Sequence, residues 1–209
     1  MHPRDARAIV STMLRWGAAA YALLGIFALV LVSLWRGGSA WVHPEPWLPL
    51  EPGTRHVYSA IFGVAFGGLT VVATRAAVSR FDWARGLHTA LRPFARELSL
   101  PMILAIAALS AFGEELLFRG LLEPAVGVVP QAIIFGVAHQ IPGPSRWVWV
   151  AWATLMGLAL GAMFQLTGSL LGPLIAHAMV NAINLLYLKS YDPAPRHALG
   201  GLLGEQPYP

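Results

Sequence analysis

The sequence contains no cysteine and very little charge. Without cysteine there is no disulfide framework, no thiol nucleophile and no thiolate metal ligand, which excludes cysteine proteases and zinc fingers. Charged residues make up 11% of the chain and hydrophobic residues 56%, whereas soluble domains carry about a quarter charged residues. The mean hydropathy is +0.61. This composition predicts an integral membrane protein.

Lysine is also nearly absent, because all but one of the 14 basic residues are arginine. The formal net charge of +4 does not indicate a nucleic-acid-binding protein. Most of the arginines lie in loops between apolar segments, where they fit membrane orientation better than phosphate binding. An arginine-rich chain that is also rich in alanine and glycine suggests a GC-rich bacterial genome. We therefore expect a multi-pass protein of the bacterial inner (plasma) membrane.

Long apolar runs predict an all-α, polytopic membrane helix bundle of about six transmembrane helices, each needing about 20 residues. Residues 1–209 are expected to form a single integral membrane domain, with 192–209 as a disordered tail rich in proline and glycine. The first apolar run lacks a cleavage site and is interpreted as a retained helix. The predicted spans are 17–35, 57–77, 98–122, 127–141, 147–167 and 169–188.

The basic residues indicate an orientation. Segment 78–97 alternates arginine with aromatic residues and leucine, which fits either an amphipathic helix on the membrane surface or an ordinary loop. Eleven lysines and arginines fall on the side of this segment and both termini, and two, Arg36 and Arg55, fall on the other side. By the positive-inside rule both termini are expected in the cytoplasm.

Five ionisable residues lie inside the predicted spans: Glu114, Glu115, Arg119, His139 and His177. Each is costly at membrane depth and is therefore a candidate functional residue. Glu115 and Arg119 are four residues apart, so they can pair along one helix face. Glu114 lies about 100° around the helix from Glu115 and can face a different cavity. We expect a structural ion pair and one separate carboxylate.

The depth of these residues predicts that they meet. At about 1.5 Å per helical residue, Glu114 and His139 each lie roughly 18 Å from the turn at 123–127. His177 lies roughly 10–13 Å from the turn at 167–172, with Asn181 deeper by one helical turn. Two spans separate the two turns, which places both turns on the same side of the membrane. The sequence therefore predicts one polar layer near mid-membrane, at which the site would lie.

A carboxylate, two imidazoles and an amide in a dry cavity suit hydrolysis. Glu114 can take a proton from a water that His139 holds. His177 and Asn181 can donate to the oxyanion of a tetrahedral intermediate. Alternatively, Glu114, His139 and His177 can bind a divalent metal such as zinc, whose water attacks the carbonyl. The residue types do not separate these two mechanisms, and a proton relay in a transporter would use the same types.

Three short motifs carry a family resemblance: "EELLFR" at 114–119, "FGVAH" at 135–139 and "HAMVN" at 177–181. In this order they resemble the E-E-x-x-x-R, F-x-x-x-H and H-x-x-x-N motifs of the CAAX-protease and bacteriocin-processing (Abi) family of intramembrane proteases. The resemblance covers roughly 98–189, the expected protease core.

The resemblance implies an all-helical endopeptidase that cleaves a membrane-associated peptide or protein within the lipid bilayer. Glu114 would be the catalytic base and His139 its partner. His177 and Asn181 would stabilise the oxyanion, and Glu115 and Arg119 would support the site. The family is described both as metalloproteases and as glutamate-type proteases, so the resemblance leaves the metal question open.

Two other classes of protein remain as alternatives. A catalytically silent scaffold or bacteriocin-immunity protein would have no need of all four polar groups, and a proton-coupled transporter would more often show repeated halves. The turn at 123–130 carries no basic residue, whereas family members often carry basic residues in this turn. Because the charge count places this turn outside, we expect the mouth of the active site to face away from the cytoplasm.

Overall fold

The computed structural model describes residues 3–193, with side chains from residue 16 onward. Within this range the predicted all-α bundle is confirmed, because the chain forms eight α-helices and two π-helical segments. The tail predicted to be disordered is 192–209, of which residues 194–209 lie outside the described residues. The α-helices are α1 Pro3–Leu31, α2 Pro52–Arg80, α3 Asp82–Arg96, α4 Leu100–Glu115, α5 Glu123–Val126, α6 Val128–Ala138, α7 Arg146–Thr167 and α8 Leu171–Ser190.

Among the described residues, five helical segments are long and apolar enough to cross a membrane: Trp16–Arg36, Pro52–Arg80, Leu100–Val126, Arg146–Thr167 and Leu171–Ser190. These correspond to five of the predicted spans, and their outward faces carry many exposed large hydrophobic residues. Such a surface suits contact with lipid, because lipid tails are as apolar as the side chains themselves.

The predicted span at 127–141 differs from the others. Its helix, α6, has 11 residues and so rises only about 16 Å, half of the hydrocarbon core of about 30 Å. Pro142 and Pro144 follow within six residues and cannot continue a helix. The chain therefore leaves the helix at His139 and runs as irregular structure to Ser145 before α7 begins.

One end of the bundle is closed by the segment between α1 and α2. The amide of His43 donates to the carbonyl of Gly168 (3.2 Å), and the amide of Leu170 donates to the carbonyl of Trp41 (3.0 Å). Arg36 Nη1 donates to the carbonyl of Gly120 (3.0 Å). We call this end the loop side; it also holds the turns before α6 and α8.

The opposite end, which we call the α3 side, holds α3 and the end of α8. Lys189 Nζ donates to the carbonyl of Arg96 (3.3 Å), and Arg92 pairs with Asp192 (3.0 Å). Since α3 is helical, amphipathic and partly buried at Ala84, His88 and Ala95, the surface-helix interpretation of segment 78–97 fits better than a loop. The other basic residues at this end, among the described side chains, are Arg75, Arg80, Arg85 and Arg146, whereas the loop side has Arg36 and Arg55. The positive-inside rule therefore assigns the α3 side to the cytoplasm.

Close contact between α2 and α8 fixes the position of the helix that carries His177. A Cβ atom added to Gly63 would lie 2.4 Å from the carbonyl oxygen of Gly172. The hydroxyl of Ser59 donates to the carbonyl of Ser169 (2.8 Å) and accepts from the amide of Gly172 (2.8 Å). Backbone packing and hydrogen bonds therefore hold α8 against α2 at the loop side.

Candidate active site

Side chains from three parts of the chain meet at Glu114. Glu114 Oε2 lies 3.5 Å from His139 Nε2 and 3.8 Å from His177 Nε2. Glu114 belongs to α4, His139 ends α6, and His177 lies in α8. The side chains of Glu114 and His177 are 9% and 8% exposed, and that of His139 is 24% exposed. The polar layer predicted from helical rise is therefore present for these three residues.

Asn181 lies one turn beyond His177 on α8 and lines the same cavity. Its Nδ2 donates to the hydroxyl of Ser110 (3.1 Å), and Ser110 lies one turn before Glu114 on α4. The amide group has a second N–H, which remains available for a substrate oxygen. Ser110 therefore fixes the amide of Asn181, and both residues lie about one helical turn from the level of Glu114 and His177.

Glu115 does more than neutralise Arg119. Its Oε1 accepts from Arg119 Nη1 at 2.7 Å, and both side chains are fully buried. The same oxygen lies 2.7 Å from His177 Nδ1. The ion pair expected from the i, i+4 spacing is present, and it also fixes the ring of His177, which the spacing did not indicate.

The chain around this ion pair is not a regular α-helix. Directly after Glu115 it widens into the π-helical segment Leu116–Leu122, and such segments often occur at functional sites. The guanidinium of Arg119 lies 4.5 Å from the centre of the Phe135 ring. The opposite neighbour of that ring is His139, at 4.3 Å between ring centres. Phe135 therefore packs between the arginine and the histidine.

The hydrogen bonds of the two histidines determine what their second nitrogens can do. The carbonyl of Phe135, 2.7 Å from His139 Nδ1, can only accept, so Nδ1 carries the hydrogen. Glu115 likewise accepts from His177 Nδ1. In the neutral imidazoles both Nε2 atoms are then acceptors, and both face an acceptor oxygen of Glu114. A proton, a cation or water hydrogens must lie between these three groups.

The predicted metal ligands were Glu114, His139 and His177. Among the residues that the structure describes, no group of three or more histidine, aspartate or glutamate side chains forms a site that could hold a metal ion. Metal binding by Glu114, His139 and His177 therefore stays a prediction.

An apolar cavity of about 320 Å³ extends from this cluster to the α3 side. Its walls come from α2, α3, α4, α7 and α8, and residues of α1 and α6 complete it. None of the loop-side turns lines it within the described chain. The sequence placed the mouth at the turn after α5, whereas α3 and the last turns of α8 line the far end of the cavity. The compartment that the mouth faces stays a prediction.

Three buried polar residues near the site were not found from the sequence. Ser110 shares a helix face with Glu114 at i, i+4 spacing, which would have indicated it. Glu123 and Gln131, 1% and 0% exposed, lie close to a predicted turn and for that reason resemble ordinary turn residues in the sequence. Only the packing of α5 and α6 against α7 reveals that they are buried.

The fold and this cluster define a polytopic helical membrane protein with an ionisable site beside an apolar cavity. Residues 96–183, which carry all three motifs, match the family model described as Rce1-like: type II CAAX prenyl endopeptidase Rce1-like. This segment of the chain is therefore similar to the Rce1-like family, and the resemblance to CAAX proteases is confirmed for these residues.

One curated relative is the uncharacterized protein YpbD of Bacillus subtilis (strain 168). It is 35% identical over 85 residues, which make up 41% of this chain and 44% of YpbD. The matched region thus spans less than half of that relative. No solved structure gives a significant match to the chain.

Proposed function

We propose that this protein is an intramembrane endopeptidase that hydrolyses a peptide bond of a membrane-associated protein or peptide. The observation that carries the proposal is the convergence of His139 Nε2 and His177 Nε2 on Glu114 Oε2, at 3.5 and 3.8 Å. The family of the segment 96–183 supports the same class of reaction. We further propose a bacterial inner membrane as its location, with lipid and substrate as its partners.

In the proposed reaction Glu114 is the general base. A water beside Glu114 and His139 gives one proton to the carboxylate while its oxygen attacks the carbonyl carbon of the peptide. The new C–O bond forms as the carbonyl becomes a tetrahedral oxyanion. The C–N bond then breaks, and the proton held by Glu114 passes to the leaving nitrogen. Atoms and charge balance without any other reactant.

His177 and Asn181 are proposed to stabilise the oxyanion. The second N–H of Asn181 can donate directly. His177 can donate from Nε2 only if it carries a second proton, because its Nδ1 hydrogen is held by Glu115. That proton would also balance charge, since the site contains two carboxylates, Glu114 and Glu115, and Arg119 pairs with only one of them, Glu115. A buried site without net charge is less costly than one with an unpaired charge.

The peptide is proposed to reach the site from the α3 side, through the apolar cavity that α3 and α8 line. This side is the cytoplasmic one by the positive-inside rule. A topology reporter inserted after Val126, in the turn of the loop side, should report the opposite compartment. A cytoplasmic signal from that reporter would contradict this orientation.

The central experiment is a cleavage assay in reconstituted vesicles with a membrane-anchored peptide library. We expect Glu114→Gln and His139→Ala to abolish cleavage, whereas the exposed control Glu97→Gln should cleave like the wild type. Cleavage by Glu114→Gln at the wild-type rate would end the proposal. No cleavage of any peptide by the wild type would instead favour the alternative in which the protein is a silent scaffold that binds its partner in the same cavity.

A parallel assay addresses the metal. If Glu114 activates water without a metal, cleavage should persist after dialysis against a strong chelator. Loss of activity that returns on addition of zinc alone would show that a metal takes part, and would leave Glu114 and the histidines as its ligands.

A further inference from the structure

A second buried carboxyl group, that of Glu123, has no part in the proposed reaction. Its residue is 1% exposed, and neither of its oxygens has a hydrogen-bond partner within the described part of the chain. It also takes part in none of the ion pairs found between residues 16 and 193. A buried carboxyl group without a partner needs a physical reason for its retention.

The neighbour of Glu123 in space is Gln131 of α6. A Cβ atom added to Gly161 of α7 would lie 2.5 Å from Gln131 Nε2 and 2.6 Å from Glu123 Oε2. Both side chains therefore lie side by side against Gly161, one of the two positions of α7 that have no side chain. Any larger residue at position 161 would displace the two polar groups.

Gln131 shares a hydrogen-bond acceptor with Arg119. Gln131 Nε2 donates to the carbonyl of Gly157 at 3.1 Å, and Arg119 Nη2 donates to the same carbonyl at 3.3 Å. Arg119 Nε is buried and has no partner among the described residues. Through its other end Arg119 holds Glu115, which holds His177. Contacts thus run from the Glu123 region to the candidate catalytic histidine.

The charge state of Glu123 follows from its surroundings. An isolated ionised carboxylate buried away from water costs several kcal/mol, and without a paired cation the neutral acid is the less costly form. A neutral carboxyl group has one O–H donor and one carbonyl acceptor. It can therefore donate to the amide oxygen of Gln131, which is buried and otherwise without a partner.

We propose that Glu123 is a neutral carboxylic acid that orients Gln131 and so fixes Arg119, Glu115 and His177 for catalysis. Glu123 is a positioning residue in this scheme, because it touches neither the substrate nor the reacting water. The effect on catalysis rests on the proposed endopeptidase function. The neutral state of Glu123 does not, and it can be measured separately.

The kinetic test compares Glu123→Gln with Glu123→Leu in the vesicle cleavage assay. Glutamine keeps a neutral group that donates and accepts, so kcat and KM should stay at their wild-type values. Leucine removes both functions, and kcat should fall about tenfold or more while KM changes little, as for other residues that orient a catalytic group. The exposed Glu97→Leu serves as the matched control.

The swapped variant Glu123→Gln with Gln131→Glu sharpens the comparison. It exchanges the two groups but keeps one neutral acid and one amide side by side, so it should cleave better than Glu123→Leu. If Glu123→Gln is as impaired as Glu123→Leu, an ionised carboxylate is required and the proposal is overturned. Full activity of Glu123→Leu would overturn it as well, because no positioning role would then remain.

Infrared spectroscopy tests the charge state without any substrate. Wild-type protein at neutral pH should show the carbonyl band of a protonated carboxyl group, retained in Glu114→Gln and absent in Glu123→Gln. Absence of the band from the wild type would overturn the neutral acid even if a variant fails to fold. If instead the wild type cleaves nothing but shows the band, the proposed function fails and the assignment of Glu123 stands.

Discussion

His177 Nδ1 and Glu115 Oε1 lie 2.7 Å apart, and this oxygen also accepts from Arg119. One carboxylate therefore joins the buried cation of one helix to the imidazole of another. Partners of this kind fix the tautomer and the orientation of a functional histidine. They also make the site sensitive to changes that never touch Glu114.

Replacing Glu115 by glutamine should impair both catalysis and folding. The amide keeps the shape of the side chain but leaves Arg119 buried without its counter-charge, which should cost about 3–5 kcal/mol in the free energy of unfolding. We expect kcat to fall about 10–100-fold because His177 loses its charged partner. Thermal unfolding in detergent and the cleavage assay measure the two effects. Unchanged values for both, matching the exposed control Glu97→Gln, would contradict this role.

The route through the α3 side can be tested by narrowing the cavity. Leu87 lines the cavity, whereas Ala90 on the same helix is exposed and does not. Leu87→Trp should raise KM and lower kcat/KM, because the larger ring occupies the path of the peptide. The matched variant Ala90→Trp should behave like the wild type. Equal kinetics for the two variants would show that the substrate does not pass α3.

The contact between α2 and α8 predicts a difference between two glycines of α2. At Gly63 a methyl group would lie 2.4 Å from a backbone oxygen, whereas at Gly68 it would meet the end of Met179 at 3.7 Å. Gly63→Ala should therefore destabilise the protein by about 1–3 kcal/mol through overpacking, and Gly68→Ala should leave the melting temperature nearly unchanged. Similar melting temperatures for the two variants would indicate a looser contact.

The docking of α3 should weaken in acid because of His88. Burial lowers the pKa of His88 below its ordinary value; the hydrogen bond to the carbonyl of Tyr191 opposes this shift, Arg92 adds to it, and Asp192 opposes it. The unfolded chain then binds a proton more readily than the folded one. The stability of the fold should therefore fall as the pH drops below about 6.5.

Melting curves between about pH 5 and pH 8 check this dependence on His88. His88→Gln keeps a polar side chain without a titrating group and should reduce the loss of stability in acid. An identical pH dependence in wild type and variant would show that other groups cause it.

Much of the site could be predicted because helices have a fixed rise. Glu114 and His139 are separated from one turn by similar numbers of residues, so the helical rise predicts a common depth for them. The ion pair of Glu115 with Arg119 followed from spacing in the same way. The predicted roles of the six candidate residues stay predictions, since geometry brings side chains together without showing what reaction they perform.

Other features could not be read from spacing. The sequence did not show that the helix of the fourth predicted span ends after 11 residues. A full span and a short helix followed by an irregular segment have the same apolar composition. The side on which the cavity opens depends on how α3 folds against α8. The burial of Glu123 and Gln131 depends on the glycine at position 161, which leaves space for them. Gly161 lies in a helix that is 30 residues or more away along the sequence.

By itself, the sequence determined that this protein is a helical membrane protein with one polar layer, because apolar length and helical rise act locally along the chain. The tertiary structure decided which oxygen each histidine faces, which end of the bundle the cavity reaches, and that the buried carboxyl group of Glu123 has no hydrogen-bond partner among the described residues. Those relationships depend on contacts between distant helices, where a single carbonyl or an absent Cβ atom determines the outcome.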